Sequence, residues 1–390
     1  MRILVSPDSF KGSESAKSIG EIISSAIKTE IPHAIIDVTP MADGGEGTID
    51  ALLHATKGKK LALTVTGPLG GKIKTHYGLL EESQTAVIEV ASFVGFTAVS
   101  EERRNPLRYT TLGIGECIEN ALEAGYRKFI FCLGGSATND GGFGMLLGIG
   151  VSFKDRHGTR LEPYPHNLSK IHDVDYSGVD PRIWDTEIRI ASDVKNPLCG
   201  KSGATYIFGP QKGVKSTDLA VMDQTLKDYA DKIECHLGKQ FSDIPGAGAA
   251  GGLGFALLTI GAKMESGAEL IANSINLEAK ILNSDWVITG EGRTDHQTLQ
   301  GKLPYVIAKM ARRHKKPTIL ISGSIESNLY DLYEVFESMH AIANGPLTLK
   351  ESIEHTQELL YHRVRNIARL LKYTDLEGMG RNSKVIKPAK

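Results

Sequence analysis

The chain has 390 residues, 41% of them hydrophobic and 23% charged, an ordinary balance for a globular protein long enough to hold two domains. Its formal net charge of −1, from 45 basic and 46 acidic residues, leaves no positive field for nucleic acid and no polybasic arm for a membrane. Glycine is in excess, 42 residues against a usual share of roughly 7%, and the excess gathers in short loops at 42–48, 134–142, 192–196, 245–254 and 289–302 rather than in low-complexity tracts.

Arg2–Ser6 reads as a short buried strand, and this apolar run is too short for the core of a signal peptide. Ser13 is the expected N-cap of a helix carrying Ile19, Ile22, Ile23, Ala26 and Ile27 up to Pro32. Ile35–Val38 is a second strand, residues 41–47 a loop, and Ile49–Ala55 a short helix. That alternation predicts a parallel sheet with helices on its faces. Leu61–Thr66, Lys72–Leu80 and Thr85–Ala91 read as neighbouring antiparallel strands, with a strong turn at Gly67-Pro68-Leu69-Gly70-Gly71. Helices are expected around Gly113–Ala124 and Ser216–Leu237, and strands at Phe129–Leu133 and Ile188–Ala191. The parallel rhythm returns with a strand at Trp286–Thr289, a helix that Pro304 enters early, and strands at Thr318–Ser322 and Met339–Ala343. A capping box, Thr348 with Glu351, opens a last helix that turns Ile353, Leu360, Val364, Ile367 and Leu371 inward.

The fold expected is α/β with two domains. A Rossmann- or flavodoxin-like parallel-sheet domain is built from residues 1–65 and 285–373, a mixed α/β domain of residues 66–284 is inserted into it, and residues 374–390 form a polar, frayed tail. No apolar stretch approaches the ~18 residues that span a bilayer. Cys117, Cys132, Cys199 and Cys235 lie far apart with no C-x-x-C pair, which fits a reduced cytoplasmic setting and argues against a zinc site.

The chemistry sits in the loops. Gly134-Gly135-Ser136-Ala137-Thr138-Asn139-Asp140-Gly141-Gly142 follows an apolar strand and combines many backbone N–H groups with one carboxylate, a set that suits phosphate plus a metal ion. Asp193 stands at a strand exit, where a carboxylate can accept a hydroxyl proton or hold Mg²⁺, or simply cap the turn that Asn196-Pro197 signals. Asp43 and Glu46, three residues apart among glycines at a helix start, can flank a metal or a substrate hydroxyl, or Glu46 can compensate the helix dipole. Arg293, between Glu291 and Asp295, can grip a carboxylate or phosphate or be tied up in local ion pairs. Lys11, Lys212 and Lys302 are loop lysines beside glycine, suited to an anionic substrate. Gly246, Gly248 and Gly251 match G-x-G-x-x-G, but Pro245 and a polar segment precede them rather than a strand, so anion binding and tight helix packing fit alike. There is no Walker A motif, no nucleophile elbow and no H-x-x-H pair.

In order along the chain, Pro7-Asp8-Ser9-Phe10-Lys11-Gly12-Ser13, residues 42–48, residues 134–142, Asp193-Val194-Lys195-Asn196-Pro197-Leu198, Phe208-Gly209-Pro210-Gln211-Lys212-Gly213, residues 245–252 and Thr289-Gly290-Glu291-Gly292-Arg293 with Gln297-Thr298 and Gly301-Lys302 resemble the bacterial glycerate kinase family, which is unrelated to the P-loop kinases. The resemblance runs from residue 1 to about 372, with Glu14 where the family more often has an apolar residue. It implies ATP-dependent, Mg²⁺-assisted phosphorylation of D-glycerate, usually on the 2-hydroxyl, in a site between the two domains. On that footing the amides of 134–142 and 246–252 are expected to cradle phosphate, Asp140 and Asp193 to hold Mg²⁺, Lys11 and Arg293 to grip the acid or the moving phosphoryl group, and Asp43 or Asp193 to orient the attacking hydroxyl. Asp8, Ser9, Glu46, Ser136, Thr138, Asn139, Lys212, Glu291, Asp295 and Lys302 complete the expected substrate and phosphate contacts. The partners expected are D-glycerate and ATP, with neither nucleic acid nor membrane, for a monomer or homodimer. The rival readings are a kinase of another small hydroxy acid, an NAD-linked dehydrogenase and a silent metabolite-binding regulator.

Overall fold

The protein's structure, a computed structural model, describes residues 1–95 and 105–381, without the side chains of residues 374–381. In chain order the elements are β1 (Arg2–Val5), α1 (Ala16–Glu30), β2 (Ile35–Val38), α2 (Thr48–Thr56), β3 (Lys59–Thr66), β4 (Lys72–Leu80), β5 (Thr85–Glu89), α3 (Ala91–Val94), α4 (Leu112–Glu123), β6 (Lys128–Cys132), α5 (Phe143–Gly148), β7 (Ser152–Lys154), β8 (Asp173–Asp175) and β9 (Glu187–Ala191). They continue as α6 (Ala204–Phe208), α7 (Leu219–Leu237), α8 (Ala249–Thr259), β10 (Lys263–Glu265), α9 (Gly267–Ser274), α10 (Leu277–Leu282), β11 (Trp286–Thr294), α11 (Leu303–Arg313), β12 (Thr318–Ile325), β13 (Ser338–Ala341), α12 (Leu349–Glu354) and α13 (Thr356–Arg381).

The chain forms two units, one of residues 1–42 with 271–390 and one of residues 43–270. These divisions differ from those expected near 65 and 284. Every residue of β3 pairs antiparallel with β4, from Lys59 opposite Leu79 to Thr66 opposite Lys72, so residues 43–65 go with the second sheet. At the other end, Lys280 donates to Asp37 at 3.0 Å and to Thr39 Oγ1 at 2.8 Å, which ties residues 271–284 to the first.

In the first unit, the strands form a five-stranded sheet of order β13-β12-β11-β1-β2, parallel throughout. Apolar faces of α1 (Ile19, Ile23, Ile27) and α13 (Leu360, Val364, Ile367, Leu371) bury one side of it against Ile3, Val5, Ile288 and Ile321. Ala308 of α11 packs on the opposite side with Leu320, Leu332 and Phe336. The connection β1-α1-β2 leaves β1 in one direction and β11-α11-β12 leaves β11 in the other. The strand order therefore reverses between β1 and β11, and open α/β sheets bind ligands outside the carboxyl ends of strands at such a point. The C-terminal segment differs from expectation in two ways. The capping box closes on a short α12 that leaves Ile353 exposed, and α13 runs on to Arg381, past the start of the expected tail; residues 382–390 lie outside the described residues.

In the second unit, a six-stranded sheet has the order β10-β9-β6-β5-β4-β3. β4 runs antiparallel to both β3 and β5, as its short turns require, whereas β5, β6, β9 and β10 are parallel. Phe129, Phe131, Ile114, Phe143, Tyr229 and Phe255 fill its core. α8 is buried on every side, in keeping with its uninterrupted small and apolar sequence. Among the described residues no helix is long and apolar enough to cross a membrane.

Candidate active site

The parallel strands of the second unit deliver four chain segments to one edge: Glu89 from β5, Gly134 from β6, Ser192-Asp193 from β9 and Ser266-Gly267 from β10. The loop that holds Asp43 and Glu46 lies across these exits. Gly134 donates its amide to the Gly44 carbonyl at 3.0 Å. Gly44 has φ +88°, and a β-carbon there would lie 2.6 Å from the Ala191 carbonyl oxygen, so neither the backbone nor the space admits another residue. Gly47 and Ile49 donate their amides to the Glu89 carboxylate at 3.2 and 3.0 Å.

Asp193 is exposed and accepts the Gly267 amide at 3.1 Å. Crowding by protein pushes its carboxyl above the ordinary range, with the charges of Asp43 and Glu269 adding to the rise and hydrogen bonds from Ser266 and Gly267 opposing it. Asp43 is half-buried and accepts the Gly45 amide at 3.2 Å, and Glu46 is exposed. Gly135 is exposed on the loop after β6, and its amide has no hydrogen-bond acceptor among the described residues. Asp43, Glu46, Asp193, Gly134 and Gly135 thus share one edge of one sheet.

Three expectations about this unit are corrected. Asp140 is fully buried. Its carboxylate accepts the Thr111 amide and hydroxyl at 3.0 and 2.7 Å and the amides of Gly142 and Gly144 at 3.0 and 3.3 Å. Burial raises its pKa against the pull of those donors. A carboxylate so enclosed and so occupied fastens α4 to α5 and has no access to a metal. Lys212 is not a loop lysine facing solvent. It is 3% exposed and donates to Ser136 Oγ at 3.1 Å and to the Thr138 carbonyl at 2.7 Å. Burial lowers its pKa to about 7, opposed by the charge of Asp140. Ser136, Thr138 and Asn139 are likewise buried, forming the inner side of the loop rather than a contact surface.

The third correction concerns 246–251. The amides of Gly246 and Gly248 both donate to the Asn196 carbonyl, at 3.2 and 3.0 Å, so they are not available to a phosphate. Gly251 has φ +69°, and a β-carbon there would lie 2.0 Å from the Thr138 carbonyl oxygen. This stretch is a tight packing element that backs the 134–142 loop. It does not follow a strand, which also removes the basis for a dinucleotide fingerprint.

The first unit carries the remaining expected residues at the point where its strand order reverses. Asp8 follows β1 and donates its amide to the Gly290 carbonyl of β11 at 2.8 Å, and Ser9 donates its own amide to Asp8 Oδ1 at 2.7 Å. Lys11 is exposed on the same loop. Glu291 is buried and accepts the hydroxyls of Thr294 and Thr298 at 2.9 and 2.7 Å, with burial raising its pKa. Lys302 donates to Asp295 at 3.1 Å and lies 3.9 Å from Glu291. Desolvation would raise the Asp295 carboxyl, but the hydrogen bond and charge of Lys302, the Gln297 amide and Arg293 hold it below the ordinary range. Arg293 is largely exposed and 3.8 Å from Asp295, so this pair is too long to commit the guanidinium. Lys11, Arg293 and Lys302 give this edge three cations over acids that are mostly satisfied internally.

Glu89, Ser266 and Gly267 were missed at the sequence level. A charged residue closing a strand that is otherwise apolar was the available signal for Glu89. For Ser266-Gly267 there was none, since β10 is only three residues long.

Among the described residues no three His, Cys, Asp or Glu side chains are grouped as a self-sufficient metal site. Mg²⁺ needs fewer protein ligands, since it takes one or two carboxylates and completes its shell with phosphate and water. The oxygen donors of Asp43 and Asp193, beside an unpaired backbone amide, fit that requirement, and the enclosed Asp140 does not.

A family model described as the glycerate kinase family matches residues 3–372. A glycerate kinase of Bacillus subtilis (strain 168) is 41% identical over 374 residues, covering 95% of this chain and 98% of the relative. A glycerate 2-kinase of Escherichia coli (strain K12) is 40% identical over 373 residues, with coverage of 95% and 98%. Among solved structures, a Salmonella typhimurium LT2 protein provisionally called glycerate kinase 2 superposes with a TM-score of 0.85 at 38% identity, over 96% of this chain and 99% of that one.

Proposed function

The chain belongs to the glycerate kinase family and is a kinase, and from that premise we propose that it transfers the terminal phosphoryl group of ATP to the 2-hydroxyl of D-glycerate with the help of Mg²⁺, as a cytoplasmic enzyme of small-molecule metabolism. The observation that carries this reading is the convergence of Asp43, Asp193 and the Gly134-Gly135 turn on one strand edge of the second unit. Phosphoryl transfer demands positioning and charge neutralisation more than covalent chemistry, and that edge offers both.

Each residue takes a role from its surroundings. Asp193, whose carboxyl is raised, orients the acceptor hydroxyl and takes its proton. Asp43 holds the magnesium–phosphate assembly from the loop beside it, and the Gly135 amide donates to a phosphate oxygen. When bound, Mg²⁺ neutralises charge on the phosphates. From the first unit, Arg293 and Lys11 grip the carboxylate of the acid, and Lys302 adds charge held in place by Asp295.

Release of ADP, followed with ATP and Mg²⁺ in the presence of D-glycerate, tartronate, a longer sugar acid or no acid, tests the proposal. Release that depends on D-glycerate and exceeds that with the other acids is the expected result. Release that no acid stimulates overturns it.

A further inference from the structure

We propose that Lys212 is a positioning residue that sets the 134–139 loop for nucleotide phosphate from beneath, without touching the phosphate itself; this rests on the reading of that loop as the phosphate-binding element. The ammonium group is buried and reaches two points on the loop that straddle Ala137, Ser136 Oγ at 3.1 Å and the Thr138 carbonyl at 2.7 Å. A second tether comes from the same stretch of chain, where Thr205 of α6 accepts Asn139 Nδ2 at 3.0 Å. From the other side, the loop is held by the Ala137 amide on the Val94 carbonyl at 2.7 Å.

Two polar atoms of the loop's own side chains do nothing to hold it. Thr138 Oγ1 and Asn139 Oδ1 are buried without a hydrogen-bond partner among the described residues. Unpaired polar atoms in the interior weaken a conformation, so the shape of this loop leans on its few tethers. Lys212 supplies two of them through a single buried amine. Asp140, enclosed in the same loop, is the nearby negative charge that favours the ammonium form. Loss of the amine should therefore loosen residues 134–139 and weaken ATP binding, and leave glycerate binding alone.

The test compares wild type with Lys212→Met, which keeps the length and loses the amine, and with Ser136→Ala, which keeps the amine and loses one acceptor. Two readouts are taken: amide hydrogen exchange across the chain, and the KM values for ATP and glycerate alongside kcat. The expected result for Lys212→Met is exchange of the 134–139 peptides roughly 10-fold faster, a similar rise in KM for ATP, and a KM for glycerate within about 2-fold of wild type. Ser136→Ala should move the same readouts in the same direction by less. Unchanged exchange at 134–139, or faster exchange spread over the whole second unit with KM for ATP unchanged, overturns the proposal. Should Lys212→Met fail to fold, Ser136→Ala decides alone on the same criteria. A wild type without glycerate-dependent turnover would refute the functional reading, and local exchange would still decide whether Lys212 holds the loop.

Discussion

The Glu89 carboxylate accepts the backbone amide of Ile49 at 3.0 Å, so a residue at the end of β5 caps the first turn of α2. Its other oxygen accepts the Gly47 amide, and the Asp43–Gly47 loop is fixed between these bonds and the exits of β6 and β9. The amides at the start of α2 are thus capped by Glu89, a residue of another element.

Replacing Glu89 with alanine should destabilise the protein by about 1–2 kcal/mol through loss of the cap, measured by urea unfolding. The pH dependence has a definite sign. Burial raises the folded carboxyl above the ordinary value of 4.5. As pH climbs past 4.5 the unfolded chain loses its proton first, so this group's contribution to stability falls until the folded carboxyl has also ionised, and is flat beyond. Glu89→Gln lacks that loss. The stability of Glu89→Gln relative to wild type should therefore rise with pH from 4.5 upward across this window, and a difference constant over that range would contradict the assignment.

Asp193→Asn should lower kcat by at least ~100-fold if this carboxylate takes the hydroxyl proton. Since its pKa is raised in the free enzyme, the acid limb of the kcat/KM profile should lie above the ordinary carboxylate range. An unchanged kcat would remove the role.

Arg293→Ala should change stability by less than ~0.5 kcal/mol, because the side chain is largely exposed and its approach to Asp295 is long. Its effect should fall on substrate binding, with KM for glycerate up by about 10- to 100-fold from loss of a charge-assisted contact. Steady-state kinetics and thermal unfolding together check both halves.

Gly251→Ala should be among the most damaging small substitutions in the chain. The position combines φ +69° with a β-carbon 2.0 Å from the Thr138 carbonyl oxygen. A loss of about 2–4 kcal/mol is expected from strain and overpacking together, read as a fall in the denaturation midpoint.

Much of the fold was legible because parallel strands are short apolar runs, and their exits are marked by glycine. The helix at Ala16–Glu30 announced itself by spacing, and the capping box at Thr348 and Glu351 by composition. The unit boundary was not legible. The chain leaves β2 through Thr39–Ala42 without a change in composition, and β3 alternates exposed and half-buried positions over most of its length even though all of it pairs with β4. The same limit explains Asp140 and Lys212. Local sequence says that an acid and a lysine lie beside glycine, but their burial is decided by Thr111 and Ser136, which are distant in the chain. Side chains that turn inward at a strand exit look, in sequence, like those that turn outward.

The most direct measurement is the ³¹P NMR spectrum of the product formed from ATP, Mg²⁺ and D-glycerate by the wild-type protein and by Asp193→Asn. The account predicts a phosphomonoester on carbon 2 of glycerate in step with ADP for the wild type, and none over the same interval for the variant. Inorganic phosphate as the sole product, or equal yields of phosphoglycerate from both proteins, would contradict it.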